Sequence, residues 1–193
     1  MDTSILFNHF NSYVNFSEED FDEFVKLLVP IELKKNELFY TAGEVPKYSP
    51  FIIKGCTRQF TINEKGEEQI ILLVEEGTWA GQIGSMRSKI PTDVYLKATE
   101  DCDILGITIE NVDLGFDKFP AFQKYFSKKY PADHARLLSD ASRIKNDTPE
   151  NLYKWLLEER PSLLQRVPQR YIANYLGIRT ETLSRIRKKI VKG

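Results

Sequence analysis

The apolar residues of the chain change their spacing twice along its length. Residues 1–15 and 17–29 show the spacing of helical faces, and the second helix opens with a Ser17 cap and an acidic first turn. From 32 to 108 the period falls to about two, which is typical of β-strands. Helical spacing then returns at residue 111 and continues to the end of the chain. This pattern predicts an α+β protein in which a β-domain lies between helices.

Glycines at positions 43, 55, 66 and 77 divide the β-region into short runs of strand-forming residues. The six predicted strands cover residues 37–41, 51–54, 57–63, 69–74, 94–98 and 103–107. Asn63-Glu64-Lys65-Gly66 predicts a hairpin turn with Gly66 at a positive φ, and Pro30 is expected to end the preceding helix. Short strands at this spacing favour a small β-barrel or jelly roll. A solenoid is the competing interpretation, although the runs share no side-chain motif.

The helical region after residue 118 is predicted to have a linking segment followed by a small domain. Pro131 interrupts the helical pattern of the linking segment, so we expect a kink or a break there. Thr148-Pro149-Glu150 has the cap, proline and acid that begin a helix, and Pro161 is expected to end that helix. With a hinge at Asn146-Asp147, the predicted parts are a β-domain with N-terminal helices, a linking helix and an all-α domain. They cover residues 1–118, 119–146 and 147–193.

The end of the chain predicts a helix-turn-helix. Residues 169–176 form the first helix, and Gly177 is the turn residue that must accept a positive φ. Residues 180–190 form the second helix, with Thr180 as its N-cap. The apolar residues of this second helix recur at the spacing of one buried stripe, and they are Leu183, Ile186 and Ile190.

The opposite face of the second helix carries side chains that suit DNA. A carboxylate such as Glu181 can accept a hydrogen bond from cytosine N4, and Arg185 can donate two to guanine O6 and N7. Arg170, Lys188 and Lys189 would neutralise phosphates. A solvated basic helix in an ordinary helical domain is the alternative, but the number of positions that fit one motif favours DNA reading.

Residues 179–185, Arg-Thr-Glu-Thr-Leu-Ser-Arg, resemble the DNA-reading motif of the Crp/Fnr family of bacterial transcription regulators. Residues 163–190 are especially similar to the shortened members common in Bacteroidetes. The resemblance implies base reading by Glu181 and Arg185, while Thr180 stands where many members have a further base-reading Arg. The residues implied to contact phosphates are Gln169, Arg170, Arg179, Thr182, Ser184, Lys188 and Lys189.

The order of the predicted elements resembles the whole Crp/Fnr chain. The likeness implies a β-roll similar to a cyclic-nucleotide-binding domain and a homodimer joined by the linking helix. It also implies double-stranded DNA and RNA polymerase as partners. Typical members continue into a β-hairpin wing after the second helix, whereas this sequence ends at Gly193. We therefore expect fewer backbone contacts and a shallower salt dependence than in a winged relative.

Family members that bind cyclic AMP hold its ribose and phosphate with a cassette of roughly F-G-E-[LI] followed by R-[ST]-A. Gly81-Gln82-Ile83-Gly84 and Thr92-Asp93 occupy the corresponding positions here, so Gln82 replaces the ribose-binding Glu and Thr92 the phosphate-binding Arg. The charge-assisted pair to the phosphate is lost, and Asp93 would repel the anion. We therefore expect no response to cyclic AMP in the usual mode and predict no cofactor. Arg87 and Lys89 could serve another anion or be solvated loop charges.

Charge is distributed unevenly along the chain. The net charge is −1, yet residues 151–193 hold ten Lys/Arg and three Asp/Glu, a net of +7 that leaves −8 for residues 1–150. This asymmetry favours a protein that touches a polyanion with one end, and the acidic remainder is expected to face away from DNA. Cys56 and Cys102 are too few for a disulfide framework and are expected to be small buried residues.

Several other classes of protein are disfavoured by the sequence. No apolar run reaches about 18 residues and no signal-peptide pattern opens the chain, so we expect a cytoplasmic protein without a membrane span. His9 and His134 lie outside the β-region, which argues against a jelly-roll metalloenzyme, and the four cysteines of an iron–sulfur sensor are missing. We expect neither a metal nor an enzyme. A β-roll that binds a small molecule or a partner, without specific DNA reading, remains the alternative.

Overall fold

Seven strands between residues 29 and 107 form two antiparallel sheets in the computed structural model of the chain. They are β1 (Val29–Leu33), β2 (Leu38–Tyr40), β3 (Ser49–Lys54), β4 (Thr57–Ile62), β5 (Glu68–Val74), β6 (Tyr95–Ala98) and β7 (Cys102–Ile107). One sheet has the order β1-β7-β3 and the other the order β2-β6-β4-β5. The structure describes the backbone of residues 1–192 and the side chains of residues 1–190. Gly193, the end of the predicted C-terminal domain, lies outside the described residues.

Helices precede, interrupt and follow the strands, which confirms the predicted α+β class. They are α1 (Ser4–Asn11), α2 (Glu18–Val25), α3 (Ile83–Ser88), α4 (Ile109–Lys118), α5 (Pro120–Asn146), α6 (Pro149–Glu159), α7 (Pro161–Arg166), α8 (Gln169–Tyr175) and α9 (Thr180–Lys192). Ser17 and Thr148 cap α2 and α6, as predicted, because each hydroxyl accepts a backbone N–H three residues further on. In the described part of the chain, no helix has the length and apolar character that crossing a membrane requires.

All six predicted strands are present, but the sequence pattern missed β1. Pro30 lies within this strand, five residues after α2 has ended at Val25, so it does not end the helix as predicted. Proline has no N–H to donate to a neighbouring strand, and it is therefore confined to the outer strands of sheets. Both β1 and β3 are outer strands, and Pro50 lies in β3. The predicted hairpin turn is confirmed, since Gly66 has a φ of 77° and donates to the Asn63 carbonyl.

Of the kink or break expected at Pro131, the break does not occur, because α5 runs without interruption from Pro120 to Asn146. Contacts on the turns beside the proline offset its missing hydrogen bond. Lys128 donates to the backbone carbonyl of Tyr13 at 2.8 Å, and Lys129 forms an ion pair with Asp133 across the proline. Sequence periodicity could not reveal the Lys128 contact, since Tyr13 lies more than a hundred positions away.

An aromatic cluster fixes α1, α2, α4 and α5 against the three-stranded sheet. Phe10 of α1 is its centre, with ring centroids 5.1 Å from Phe16, 5.2 Å from Phe24 and 4.6 Å from Tyr125. These close pairs bury large apolar surfaces in preferred edge-on or stacked arrangements. The N-terminal half of α5 is therefore part of the β-domain core.

A second cluster joins the outer face of the four-stranded sheet to the C-terminal helices. Cys56, Phe60, Ile70 and Leu73 supply the sheet side of this cluster. The helical side comes from α6, α7, α8 and α9 and includes Trp155, the predicted anchor of that domain. The C-terminal helices are thus packed on the β-domain through a shared apolar core.

Both cysteines are buried and free, as predicted. Burial raises the pKa of the Cys56 thiol and of the Cys102 thiol to about 12. A thiol with such a pKa is protonated at neutral pH and a poor nucleophile. These residues therefore serve as small apolar groups between the strands.

Candidate nucleic-acid interface

Helix α8, a tight turn and helix α9 form the predicted helix-turn-helix. Gly177 has a φ of 67°, and the Ile178 N–H returns to the Ala173 carbonyl at 2.9 Å, which closes the end of α8. Thr180 is the first residue of α9 and not its N-cap, which corrects the prediction. The carbonyl of Arg179 already accepts the first helical hydrogen bond, from the Leu183 N–H, so Arg179 holds the cap position.

The apolar stripe of α9 packs against α8 as its spacing predicts. Leu183 and Ile186 are buried, and Ile190 is partly buried in the same cluster. On the α8 side, Ile172 and Leu176 are buried too. This packing fixes the rotation of α9 about its axis and hence determines which of its residues face outward.

The three predicted base-reading residues, Thr180, Glu181 and Arg185, are exposed on the first two turns of α9. The Arg185 Nε lies 3.4 Å from the Glu181 carbonyl oxygen, so the two residues lie next to each other along the helix. Lys188 and Lys189 are exposed on the following turn. The outer face of α9 therefore presents one carboxylate and three cations.

Lys189 already has a partner on the protein. Its Nζ lies 2.8 Å from Glu150 Oε1 on α6, and this hydrogen bond lowers the pKa of the Glu150 carboxyl. Both side chains are well exposed, so the pair contributes little stability and Lys189 can leave it for a phosphate.

The remaining phosphate candidates lie at the start of α8, in the turn and on the flanks of α9. Arg170 and Arg179 are exposed, whereas Gln169, Thr182 and Ser184 are partly buried. Arg170 Nη2 donates to the Tyr171 hydroxyl at 3.1 Å and its guanidinium lies 4.8 Å from the centre of that ring. The candidates thus form two groups, one on α9 and one around the start of α8.

Contacts between the C-terminal helices and the β-domain were missed by the sequence analysis. Arg160 Nε lies 3.0 Å from Glu75 Oε2, and Arg160 Nη2 donates to the Leu73 carbonyl. Arg166 pairs with Glu76, at 2.6 and 2.9 Å, and also with Glu100. The acidic remainder was expected to face away from DNA, yet part of it faces the basic domain itself. The sequence alone does not indicate which distant acidic residue an arginine will contact.

Asn174 of α8 makes a two-point contact with the β-domain. Its Oδ1 accepts the Ile70 N–H at 2.7 Å, and its Nδ2 donates to the Glu68 carbonyl at 2.7 Å. Both backbone groups belong to β5, the outer strand of its sheet. The side-chain amide therefore pairs with this strand in the way that a neighbouring strand would.

The cassette residues lie at the start of α3 and in the loop after it. Gly81 is packed so closely on Ser49 that an added Cβ would lie 1.8 Å from Ser49 Oγ. Gln82 precedes α3, which contains Ile83 and Gly84. Thr92 is buried and its hydroxyl accepts the Val94 N–H, while Asp93 is exposed.

The two cations predicted to lie in a loop are paired with α4, and Arg87 belongs to α3 and not to a loop. Arg87 Nη2 lies 2.6 Å from Asp113 Oδ1, and Lys89 Nζ lies 3.8 Å from Glu110 Oε1. This arrangement supports the view that they are surface charges. Inside the β-domain, Gln59 Nε2 donates to the Tyr40 hydroxyl and to the Ala80 carbonyl, a polar contact that the sequence did not suggest.

Comparison with known proteins gives a domain and two relatives. A cyclic nucleotide-binding domain matches residues 30–113. The chain is 25% identical over 187 residues to the anaerobic regulatory protein of Aggregatibacter actinomycetemcomitans, covering 87% of this chain and 68% of the relative. It is 26% identical over 196 residues to the anaerobic regulatory protein of Pasteurella multocida (strain Pm70), covering 90% of this chain and 66% of the relative.

Solved structures share the fold over most of its length. The c-di-GMP responsive global regulator CLP of Xanthomonas campestris has a TM-score of 0.70 at 15% identity, with 91% of this chain and 92% of that chain covered. FixK2 from Bradyrhizobium japonicum has a TM-score of 0.66 at 18% identity, with 86% of this chain and 85% of that chain covered. A structure from Eubacterium rectale described as a Crp/Fnr-family regulator has a TM-score of 0.66 at 16% identity, with 92% of this chain and 85% of that chain covered.

Proposed function

We propose that this chain, which belongs to the Crp/Fnr family of transcription regulators, is a homodimer that reads a two-fold symmetric DNA site. Helix α9 of each subunit would enter the major groove, and α8 would lie across the backbone. RNA polymerase is the second partner that this role requires. The protein is a regulator and not an enzyme.

The proposal of specific reading rests on two exposed charged residues of α9. Glu181 and Arg185 are exposed on α9, opposite the buried Leu183 and Ile186. Packing of the helix-turn-helix uses neither charged side chain, so both are available to meet a ligand. A carboxylate and a guanidinium at this position can read a cytosine and a guanine.

The exposed surface of α5 supports the homodimer. Tyr130 is 73% exposed and Leu138 59%, and Leu137 is partly exposed beside them. These residues recur at helical spacing along one face of α5. A second copy of the helix, related by a two-fold axis, would cover them and place two α9 helices on one side of the dimer.

We further propose that the protein does not respond to cyclic AMP in the usual mode. Thr92, at the position of the phosphate-binding arginine, is buried, and its hydroxyl accepts a hydrogen bond from the Val94 N–H. Arg87 and Lys89, which lie between the two parts of the cassette, form exposed pairs with carboxylates of α4, and Asp93 adds a negative charge beside Thr92. None of the residues at the cassette positions 81–84 and 92–93 is a cation that could pair with a cyclic phosphate.

Selection of random double-stranded DNA tests the proposal directly. The wild-type protein should enrich a palindromic motif with half-sites about one helical turn apart. Arg185→Ala should relax the preference at one position in each half-site, at a cost of about 1–3 kcal/mol. Lys188→Ala is the matched control, because loss of a phosphate contact should weaken all sequences equally and reduce the salt slope by about one.

Two outcomes would contradict specific reading. One is the absence of any enriched motif from the wild-type protein, with or without cell extract as a source of effector. The other is an Arg185→Ala motif as sharp as that of the wild type. In either case, affinity that depends on salt alone would favour a basic surface without sequence preference.

A further inference from the structure

The hairpin between β4 and β5 lies against the first helix of the helix-turn-helix. An open depression of about 750 Å³ separates the two surfaces. Its lining residues come from both, and they are Glu67, Glu68, Gln69, Arg170, Tyr171, Asn174, Ile178 and Arg179. The depression therefore holds two acidic side chains of the β-domain beside two cations that are candidates for phosphate contact.

The Asn174 amide keeps the hairpin in this place. Because it bonds both the Glu68 carbonyl and the Ile70 N–H, sliding or lifting α8 would break two hydrogen bonds at once. Both backbone groups are partly buried, so water could not fully replace the Asn174 amide as their hydrogen-bond partner. The contact fixes the position of α8 relative to β5.

A buried ion pair reinforces the contact. Arg58 of β4 is 2% exposed, and its Nε and Nη2 lie 3.0 and 3.1 Å from the two carboxylate oxygens of Glu68. The Tyr171 ring covers the guanidinium, with 4.3 Å between the Arg58 Cζ and the ring centroid. Tyr171 also accepts the hydrogen bond from Arg170. A phosphate candidate is thus linked to the contact between the two domains.

We propose that the β4–β5 hairpin competes with DNA for the first helix of the helix-turn-helix, so that the packed subunit binds DNA weakly. A phosphodiester that reaches Arg170 and Arg179 must enter the depression that also holds Glu67 and Glu68. Its charge would be repelled at close range by the Glu67 carboxylate, whereas the Glu68 carboxylate is already paired with Arg58. Release of α8 from β5 would move Arg170 and Arg179 away from this carboxylate and so remove the repulsion.

The hairpin would weaken the contacts with DNA phosphates and would not affect the contacts with bases. Glu181 and Arg185 are exposed in the packed subunit and contact no part of the hairpin among the described hydrogen bonds and ion pairs. Changes at the hairpin should therefore alter affinity without altering the selected motif. This inference rests on the proposed function, because it assigns a regulation to the same DNA-binding surface.

Two variants separate the charge of the hairpin from its packing. Glu67→Gln removes one carboxylate from the depression and retains an oxygen that can accept from Asn63, as Glu67 does now. Asn174→Ala removes both hydrogen bonds to β5 and leaves the charge unchanged. Glu32→Gln is the matched control, since Glu32 is an exposed acid on β1 in the other sheet. Affinity is measured by fluorescence anisotropy on the selected site and on random DNA.

We expect Glu67→Gln to bind both DNAs about fivefold more tightly at low salt, the effect of roughly one like-charge contact in water. The gain should shrink as salt rises, and Glu32→Gln should show much less of it. Asn174→Ala should also bind at least about fivefold more tightly, the lower end of typical couplings between regulated sites. Amide hydrogen exchange at Ile70 should become faster in that variant, which reports release of α8.

The proposal is overturned if Glu67→Gln behaves like Glu32→Gln while the wild type binds its motif. It is also overturned if Asn174→Ala exchanges faster at Ile70 but binds DNA no better or more weakly, because packing would then support the reading position. Failure of the proposed function is distinguishable from both, since the wild type would then select no motif. Glu67→Gln keeps the test decisive even if Asn174→Ala fails to fold.

Discussion

The imidazole Nε2 of His9 lies 2.7 Å from the phenol oxygen of Tyr125, and this hydrogen bond joins α1 to α5. The rings of Tyr13 and Phe51 lie 5.5 and 5.3 Å from the imidazole. Burial, helped by the charge of Lys129, lowers the pKa of His9 to about 4. The β-domain core therefore holds a neutral histidine at physiological pH.

This histidine makes stability depend on pH. In the unfolded chain His9 has its ordinary pKa of 6.5, so between about pH 6.5 and 4 the unfolded state binds more protons than the folded state. The free energy of unfolding that depends on neutral His9 is complete above pH 6.5 and is lost as the pH falls toward 4. His9→Gln should remove this part of the pH dependence.

Chemical denaturation across this pH range measures the effect. His134→Gln is the control, because it removes an exposed histidine of α5 and leaves the His9–Tyr125 hydrogen bond in place. Equal profiles for the wild type and His9→Gln would show that His9 titrates alike in the folded and unfolded states.

The two glycines of the cassette should respond oppositely to alanine. At Gly81 the new Cβ would lie 1.8 Å from Ser49 Oγ and 2.6 Å from Ser49 Cβ, so the strand or the loop must move. We expect Gly81→Ala to lower the free energy of unfolding by about 1–3 kcal/mol. Thermal and denaturant unfolding would measure the change.

Gly84→Ala is the matched control for this substitution. Gly84 lies in α3, its added Cβ would have no heavy atom within 4 Å, and alanine favours helices. This variant should be neutral or more stable by up to about 1 kcal/mol. A similar loss in both variants would mean that the cassette loop does not pack on Ser49 as described.

The exposed face of α5 predicts a dimer that a single charge can weaken. In Leu138→Asp a carboxylate would have to be buried between two α5 helices, and its desolvation would oppose association. We expect the dissociation constant of the dimer to rise by at least about tenfold, or about 1.4 kcal/mol. Sedimentation velocity over a range of concentrations would measure it.

Leu157→Asp controls for the added charge, because Leu157 is a comparably apolar exposed residue on α6. It should leave the dimer intact. If Leu138→Asp also sedimented like the wild type, α5 would not be the dimer surface.

The helix-turn-helix could be predicted from the sequence because its signals are local. Leu183 and Ile186 repeat at helical spacing, and Gly177 marks a backbone position that disfavours other residues. The same local pattern correctly placed Glu181 and Arg185 outward. Whether these two side chains contact bases remains a prediction.

The features that sequence reasoning missed depend on distant partners. Nothing around Asn174 indicates that its amide pairs with β5, since Ile70 lies 104 positions away. Pro131 suggested a kink or a break because its local cost is visible in the sequence, whereas the contact of Lys128 with the Tyr13 carbonyl is not. Tertiary contacts of this kind outweigh local propensity.

The ion pairs between the domains should contribute measurably to stability, and Arg166 is the best place to test this. Arg166 bridges Glu76 and Glu100, and all three side chains are about one third exposed. Burial alone would raise the pKa of Glu76, but the hydrogen bonds from Arg166 and from backbone amides outweigh it and lower that pKa. Arg166→Ala leaves two partly desolvated carboxylates without a cation, so we expect a loss of about 1–3 kcal/mol.

The pH dependence provides an independent check on Arg166. Because the folded pKa of Glu76 is lowered, the stability that depends on its ionised form is present above its unfolded pKa of 4.5 and is lost as the pH falls below it. Arg166→Ala should flatten this acid limb of the unfolding profile. Arg87→Ala is the matched control, since Arg87 and Asp113 form a more exposed pair and its removal should cost at most about 0.5 kcal/mol. If both variants lost equally little, the Arg166 ion pairs would not contribute to holding the two domains together.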